Sequence, residues 1–133
     1  MKYDLKGKVI VLTGAAGFLG QHYCEAFKEL GAIIVGIDID LPVCVLDNID
    51  LGLIVNITNK SSVDNAFISI LKIYDRIDIL INNAAAKQTT NINNEITEFE
   101  EFPLQLWQQN LNVNLTGMFL CSQNAIKIMK KQK

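Results

Sequence analysis

The sequence holds one histidine, His22, and only three cysteines, Cys24, Cys44 and Cys121, which stand far apart in apolar surroundings. That is too few ligands for a zinc site and an odd number for a disulfide framework. Reduced, buried thiols of a cytoplasmic protein are the expectation. His22 falls on the polar side of a helical stretch, with no partner in view, and reads as a surface residue. No apolar run approaches the ~18 residues that a membrane span needs. Met1 to Lys8 is polar and leads straight into a strand, unlike a signal peptide. A net charge of −2 gives nucleic acid or an anionic membrane no footing. Lys127, Lys130, Lys131 and Lys133 cluster at the end of a helix, where cations are ordinary. Internal repeats and low-complexity linkers are absent too. What remains is a single domain over residues 1–133, half of it apolar, which is enough for a core.

One stretch organises the chain: Thr13-Gly14-Ala15-Ala16-Gly17-Phe18-Leu19-Gly20. Before it, Val9-Ile10-Val11-Leu12 reads as a strand buried on both faces. After it, Leu19, Tyr23, Ala26, Phe27 and Leu30 recur at helical spacing, and Gly31 supplies a stop. Glycines on such a strand-to-helix turn can serve a dinucleotide. Gly14 allows the bend, Gly17 lets backbone approach a pyrophosphate, and Gly20 lets the helix pack on the sheet. Unpaired N–H groups at the helix start then face the phosphates. Spacing alone also marks ordinary turns, so the context matters. A second apolar strand, Ile33 to Ile37, ends in Asp38, 18 residues after Gly20. A carboxylate there would reach the adenosine ribose, the plain alternative being a solvated strand end. It would also repel a 2′-phosphate. No Lys, Arg or His occurs between Gly31 and Asn59, so NAD is favoured over NADP.

Leu41 to Asp50, broken by Pro42, leads to a third apolar run, Leu51 to Val55, closed by Asn56-Ile57-Thr58. Ser61-Ser62-Val63-Asp64 has a capping-box pattern, and Val63, Ala66, Phe67, Ile70 and Tyr74 share one helical face. A fourth strand, Ile77 to Ile81, ends at Asn82-Asn83-Ala84-Ala85-Ala86. Strands alternating with helices predict an α/β fold: a doubly wound, Rossmann-like parallel sheet of about four strands in order 3-2-1-4. Lys87 to Phe102 is polar, and its place after a strand's carboxyl end favours a functional loop over disorder. A long helix is predicted from about Leu104 to Lys130. Its buried stripe should be Leu104, Trp107, Leu111, Leu115, Met118, Ala125 and Met129, with Asn114 and Gly117 as interruptions.

Thr13 to Gly20, Asp38, Asn82-Asn83-Ala84-Ala85 and Asn112-Val113-Asn114-Leu115-Thr116-Gly117, in that order, resemble the short-chain dehydrogenase/reductase family. The likeness covers essentially the whole chain. It implies an NAD-dependent oxidoreductase that moves a hydride between nicotinamide and an alcohol or ketone carbon of a small molecule. It implies cofactor contacts at Thr13, Gly14, Gly17, Phe18, Leu19, Gly20, Asp38, Asn56, Ile57, Asn83, Ala84 and Ala85, with Asn82 steadying the sheet. Asn56 stands where the family usually has an aspartate against adenine; its amide oxygen should accept from the adenine amino group. Asn114 matches the catalytic asparagine, whose backbone kinks the helix and holds a water in the proton relay. No metal is implied. A homo-oligomeric parent is implied, the Asn114 helix often packing between subunits.

There are departures. Glycines at 14, 17 and 20 follow the extended, sugar-nucleotide-modifying branch, whereas the commoner branch keeps a glycine where Phe18 stands. Ala85 replaces a usual glycine. The two asparagine-containing segments look like the commoner branch and are the longer matches. Glu101 to Trp107 and the preceding polar loop are similar to members associated with flagellin or surface-sugar modification. The family's serine, and its tyrosine with a lysine four residues later, find no match: Tyr3, Tyr23 and Tyr74 are followed at that distance by Gly7, Phe27 and Asp78. In the family these lie downstream, in the fifth strand and the next helix. The chain is therefore expected to be the amino-terminal, cofactor-binding half, inactive alone, with its fourth strand left as an open edge. Two other readings stand beside this one: a complete, non-catalytic NAD-binding module, and an extended-branch nucleotide-sugar epimerase or dehydratase.

Overall fold

The computed structural model describes residues 4–86 and 98–132. Most of the polar loop, residues 87–97, therefore lies outside the described residues. Strands β1 (Val9–Thr13), β2 (Ile33–Asp38), β3 (Leu51–Ile54) and β4 (Ile79–Asn82) form a parallel sheet in the order β3-β2-β1-β4, the expected Rossmann-like arrangement. All five residues of β1 are buried. Alternation along the strand sends Val9 and Val11 to one layer, with Val35, Ile37, Phe67, Ile70 and Cys121. Ile10 and Leu12 go to the other, with Ile34, Ala15 and Cys24. A strand covered on both faces must be apolar throughout, and this one is.

Helix α1 (Phe18–Glu29) buries Gly20 and Cys24 and half-buries Phe27. The expected stripe is thus corrected: Leu19, Tyr23, Ala26 and Leu30 are exposed. Close approach at Gly20 turns the line 20-24-27 inward, and residues one step away rotate outward. Helix α2 (Lys60–Tyr74) buries Val63, Ala66, Phe67 and Ile70 as expected. Its cap is Asn59, not the Ser61 pattern: Asn59 Oδ1 accepts from the Ser62 N–H at 2.9 Å. Asp64 instead pairs with Lys60 and accepts from Asn124 Nδ2 at 2.9 Å.

Strand β4 begins two residues later than expected. The Ile77 N–H donates to Gln132 Oε1 at 2.7 Å, and Gln132 Nε2 donates to the Ile77 carbonyl at 2.9 Å. The Asp78 carboxylate accepts from the Val9 N–H at 2.9 Å and pairs with Arg76 and Lys8. Among the described residues no strand lies on the far side of β4. Cys24 and Cys121 are buried, and burial pushes both thiols up to about 11. Cys44 departs from expectation: it is exposed, on a 3-10 turn at Val43–Asn48.

The long final helix is three pieces: α3 (Leu104–Leu111), a π segment (Asn112–Gly117) and α4 (Met118–Met129). Its expected stripe holds only in part. Ala125 is buried, but Leu104, Trp107, Leu115 and Met118 are exposed by 67, 52, 54 and 40 %. Leu120 and Cys121 take the inward positions instead. A π turn inserts a residue, which rotates the following side chains by about 100° relative to an unbroken α-helix. Full burial begins at Gly117, with Val113 ahead of it partly buried against the core. Among the described residues no helix is long and apolar enough to cross a membrane.

Candidate functional site

Site geometry starts at the carboxyl end of β1. Gly14 adopts φ +69°, and a Cβ there would lie 2.7 Å from the Ala84 Cα. Only glycine combines that left-handed backbone with such close approach. A Cβ on Gly20 would fall 2.0 Å from the Gly14 carbonyl oxygen, so the third glycine is required for α1 to reach the turn. The turn closes with the Gly17 N–H donating to the Gly14 carbonyl at 3.2 Å. Phe18, Leu19 and Gly20 form the first turn of α1, where N–H groups have no acceptor within their own helix.

Two bonds tie this turn to β2. The Ala15 N–H donates to the Ile37 carbonyl at 3.2 Å, and the Ala16 N–H to Asp38 Oδ2 at 2.8 Å. On its other oxygen Asp38 accepts from the Ile39 N–H at 2.7 Å. A second set ties the turn to the end of β4. Buried Thr13 Oγ1 accepts from the N–H groups of Asn83 and Ala84, both at 3.1 Å. Asn83 Nδ2 donates to the carbonyls of Thr13 and Gly14 at 3.1 and 3.0 Å. Asn82 Nδ2 donates to Ser122 Oγ at 3.0 Å, while its buried Oδ1 has no partner among the described residues. Asn82 thus joins β4 to α4.

These ties shape a cleft of about 1040 Å³ across the carboxyl ends of β1, β2, β3 and β4. It brings together Gly14, Gly17, Phe18, Leu19, Asp38, Asn56, Ile57, Asn83, Ala84 and Ala85. Thr13 and Gly20 are buried behind the wall and shape it indirectly. Asn114 is not on the wall; Asn114 Oδ1 accepts from the Ala86 N–H at 2.7 Å, and its Nδ2 donates to the Ala86 carbonyl at 3.2 Å. The side chain therefore pins the chain leaving β4 to the π segment. That segment shifts backbone carbonyls away from α-helical pairing. His22, read as a partnerless surface residue, is exposed but lies edge-on to Phe18 and 3.9 Å from Glu25.

The Asn56 oxygen expected to face adenine makes bonds of its own here. Asn56 Oδ1 is engaged within its own turn, accepting from the Thr58 N–H at 3.0 Å and the Thr58 hydroxyl at 2.8 Å. These two bonds use the oxygen expected to accept from an adenine amino group. The sequence reading also missed wall residues. Ala16, Ile39 and Val113 line the cleft, Val113 entering because the π segment starts beside it. An apolar residue next to Asn114 was a usable signal. Among the described residues no three His, Cys, Asp or Glu side chains gather into a metal site, and no Lys, Arg or His lines the cleft.

A cleft at the carboxyl ends of a parallel sheet, floored by a glycine turn and the start of a helix, fits a dinucleotide. Known proteins agree with the architecture. The family model described as short chain dehydrogenase matches residues 8–133. The NAD-dependent glycerol dehydrogenase of Listeria innocua is 32 % identical over 126 residues, covering 91 % of this chain and 47 % of that protein. A short-chain type dehydrogenase/reductase from Mycobacterium marinum superposes with a TM-score of 0.87 at 25 % identity, over 98 % of this chain and 53 % of that one. The 3-ketoacyl-(acyl-carrier-protein) reductase of Brucella melitensis, complexed with NADH, gives 0.85 at 26 % identity over 96 and 52 %. The chain spans about half the length of the relatives it matches. In sequence, sheet order and glycine turn alike, this chain belongs to the short-chain dehydrogenase/reductase family of oxidoreductases.

Proposed function

We propose that this chain holds NAD in the cleft, as the cofactor-binding half of an oxidoreductase acting on an alcohol or ketone carbon of a small molecule. The observation that carries the reading is Asp38. Its carboxylate is held at the wall by the Ala16 and Ile39 N–H groups, in a cleft whose described walls carry no cation. A 2′-phosphate would meet a negative charge with nothing to neutralise it, whereas ribose hydroxyls would meet acceptors. Relatives named for NAD or solved with NADH support the same choice.

The first turn of α1, at Phe18 and Leu19, would receive the pyrophosphate, with Gly14 and Gly17 leaving the backbone free to approach. Asn83, Ala84 and Ala85 would border the far ribose, and Ile57 the base. When bound, NAD supplies hydride exchange at the nicotinamide. Asn114 is the one residue in this chain assigned a catalytic part. Its side chain is occupied by Ala86, which leaves its backbone carbonyl, in the π segment, as the group to hold a water for proton transfer. The exposed Leu104, Trp107 and Leu115 support self-association of the longer parent. A sugar or surface-polysaccharide precursor remains the proposed substrate class. Calorimetric titration of the chain with NAD and NADP tests the core of this reading. NAD should bind and NADP should bind at least about tenfold more weakly; equal affinities would remove the argument from Asp38.

A further inference from the structure

Gly117 closes the π segment with φ −60° and ψ −47°, ordinary right-handed helical values that any residue adopts. Backbone conformation therefore gives no reason for a glycine here, and glycine weakens a helix. Space does give one. A Cβ on Gly117 would lie 2.6 Å from Ile57 Cδ1, 2.7 Å from its Cγ1 and 3.3 Å from its Cβ, so the nearest neighbours all belong to one side chain. Ile57 occupies the room that a methyl on Gly117 would need.

Ile57 stands between that helix and the cleft. It belongs to the core layer that holds Val55, Val63 and Leu120, and it also lines the cleft wall, which Gly117 does not. Its backbone is fixed from both sides. Asn56 Oδ1 accepts from the Thr58 N–H at 3.0 Å and the Thr58 hydroxyl at 2.8 Å, and the Asn56 carbonyl accepts from the Asn59 N–H at 3.1 Å. With the turn held and a close-packed core behind it, a displaced Ile57 side chain has the cleft as its open direction. We propose that Gly117 is a positioning residue for the bound ligand. By carrying no side chain it lets Ile57 draw back, and so sets the width of the cleft on its β3 side. The inference rests on the reading of the cleft as an NAD site.

Calorimetric titration with NAD tests this on Gly117→Ala, Ile57→Ala and the double variant. In Gly117→Ala the methyl drives Ile57 toward the ligand, and affinity should fall at least about tenfold while the circular-dichroism spectrum still reports helix. In the double variant the intruding side chain is gone, and affinity should return to within about threefold of Ile57→Ala alone. A glycine that served packing only would lower the melting midpoint and leave the folded chain's affinity unchanged. That result overturns the proposal, as does a loss that Ile57→Ala fails to relieve. A second measurement uses the native chain. There the Ile57 methyl resonances should shift as NAD saturates the cleft, and resonances that stay in place overturn the proposal equally. Failure of NAD to bind the folded native chain overturns the NAD reading itself, and this inference with it.

Discussion

The Ala16 N–H donates to Asp38 Oδ2 at 2.8 Å, joining two residues 22 apart in sequence and placing the glycine turn and the end of β2 on one hydrogen bond. A carboxylate has room for about four such bonds. Two are used, by Ala16 and Ile39, and the rest are open to ribose hydroxyls. Asp38→Ala should therefore lower NAD affinity by at least about tenfold, through lost ribose contacts and a loosened turn. A calorimetric titration in which the variant binds as tightly as the native chain would sink the ribose assignment.

Thr13 is the hinge pin between β1 and β4. Thr13→Val keeps the shape but leaves the Ala84 N–H without its acceptor and the Asn83 N–H with only the Ile81 carbonyl, 3.1 Å away. A cost of about 1–3 kcal/mol is expected, seen as a lower urea midpoint with an unchanged slope. Thr13→Ser should recover most of it. If the valine variant is as stable as the native chain, these bonds contribute nothing measurable.

Gly14→Val and Gly20→Ala probe the turn by different routes. At Gly14 the new side chain meets both a positive φ and the Ala84 backbone. At Gly20 the added methyl meets the Gly14 carbonyl oxygen at 2.0 Å, forcing α1 away from the turn. Both should abolish NAD binding while the circular-dichroism spectrum still reports helix. Binding that survives Gly14→Val would mean the phosphates lie elsewhere.

Acid should expose the role of Asp78. Burial works to raise its carboxyl, but hydrogen bonds from Arg76 and the Val9 N–H, with the charges of Arg76 and Lys8, outweigh it and hold it below the ordinary carboxylate range. A depressed folded-state value means stabilisation that is complete above the unfolded carboxylate's value, about 3.9, and lost as pH falls through the folded one. The gap in urea midpoint between native chain and Asp78→Asn should be constant from about pH 5 to 7 and shrink below about pH 4. A gap as wide at about pH 3 as at about pH 6 would assign the difference to something other than charge.

The strands were readable because burial on both faces leaves no choice of residue type: Val9 to Leu12 and Ile33 to Ile37 are apolar runs that only a covered sheet explains. The glycine turn and Asp38 were readable because their backbone demands are local. Helix faces were less so. The stripe drawn from Leu104 to Met129 assumed one unbroken period, and the π segment at Asn112–Gly117 broke it. The Asx turn at Asn56 went unseen for a related reason. Whether an amide oxygen is available depends on what the next two residues do with it, and Thr58 had already claimed it. The cap of α2 went to Asn59 because its side chain reaches the Ser62 N–H first.

The π segment also sets the rotational offset between the two halves of the last helix. One extra residue between Leu111 and Met118 turns α4 by about 100° relative to the phase that α3 would otherwise impose on it. Leu104 and Trp107 can thus face outward while Cys121 and Ala125 face the sheet. Removing a single residue there would mesh the halves like locked gears, so that burying one face would drag the other with it. Substitutions in α3 and α4 accordingly answer to different neighbours, α4 to α2 and β4, and both to the π segment between them.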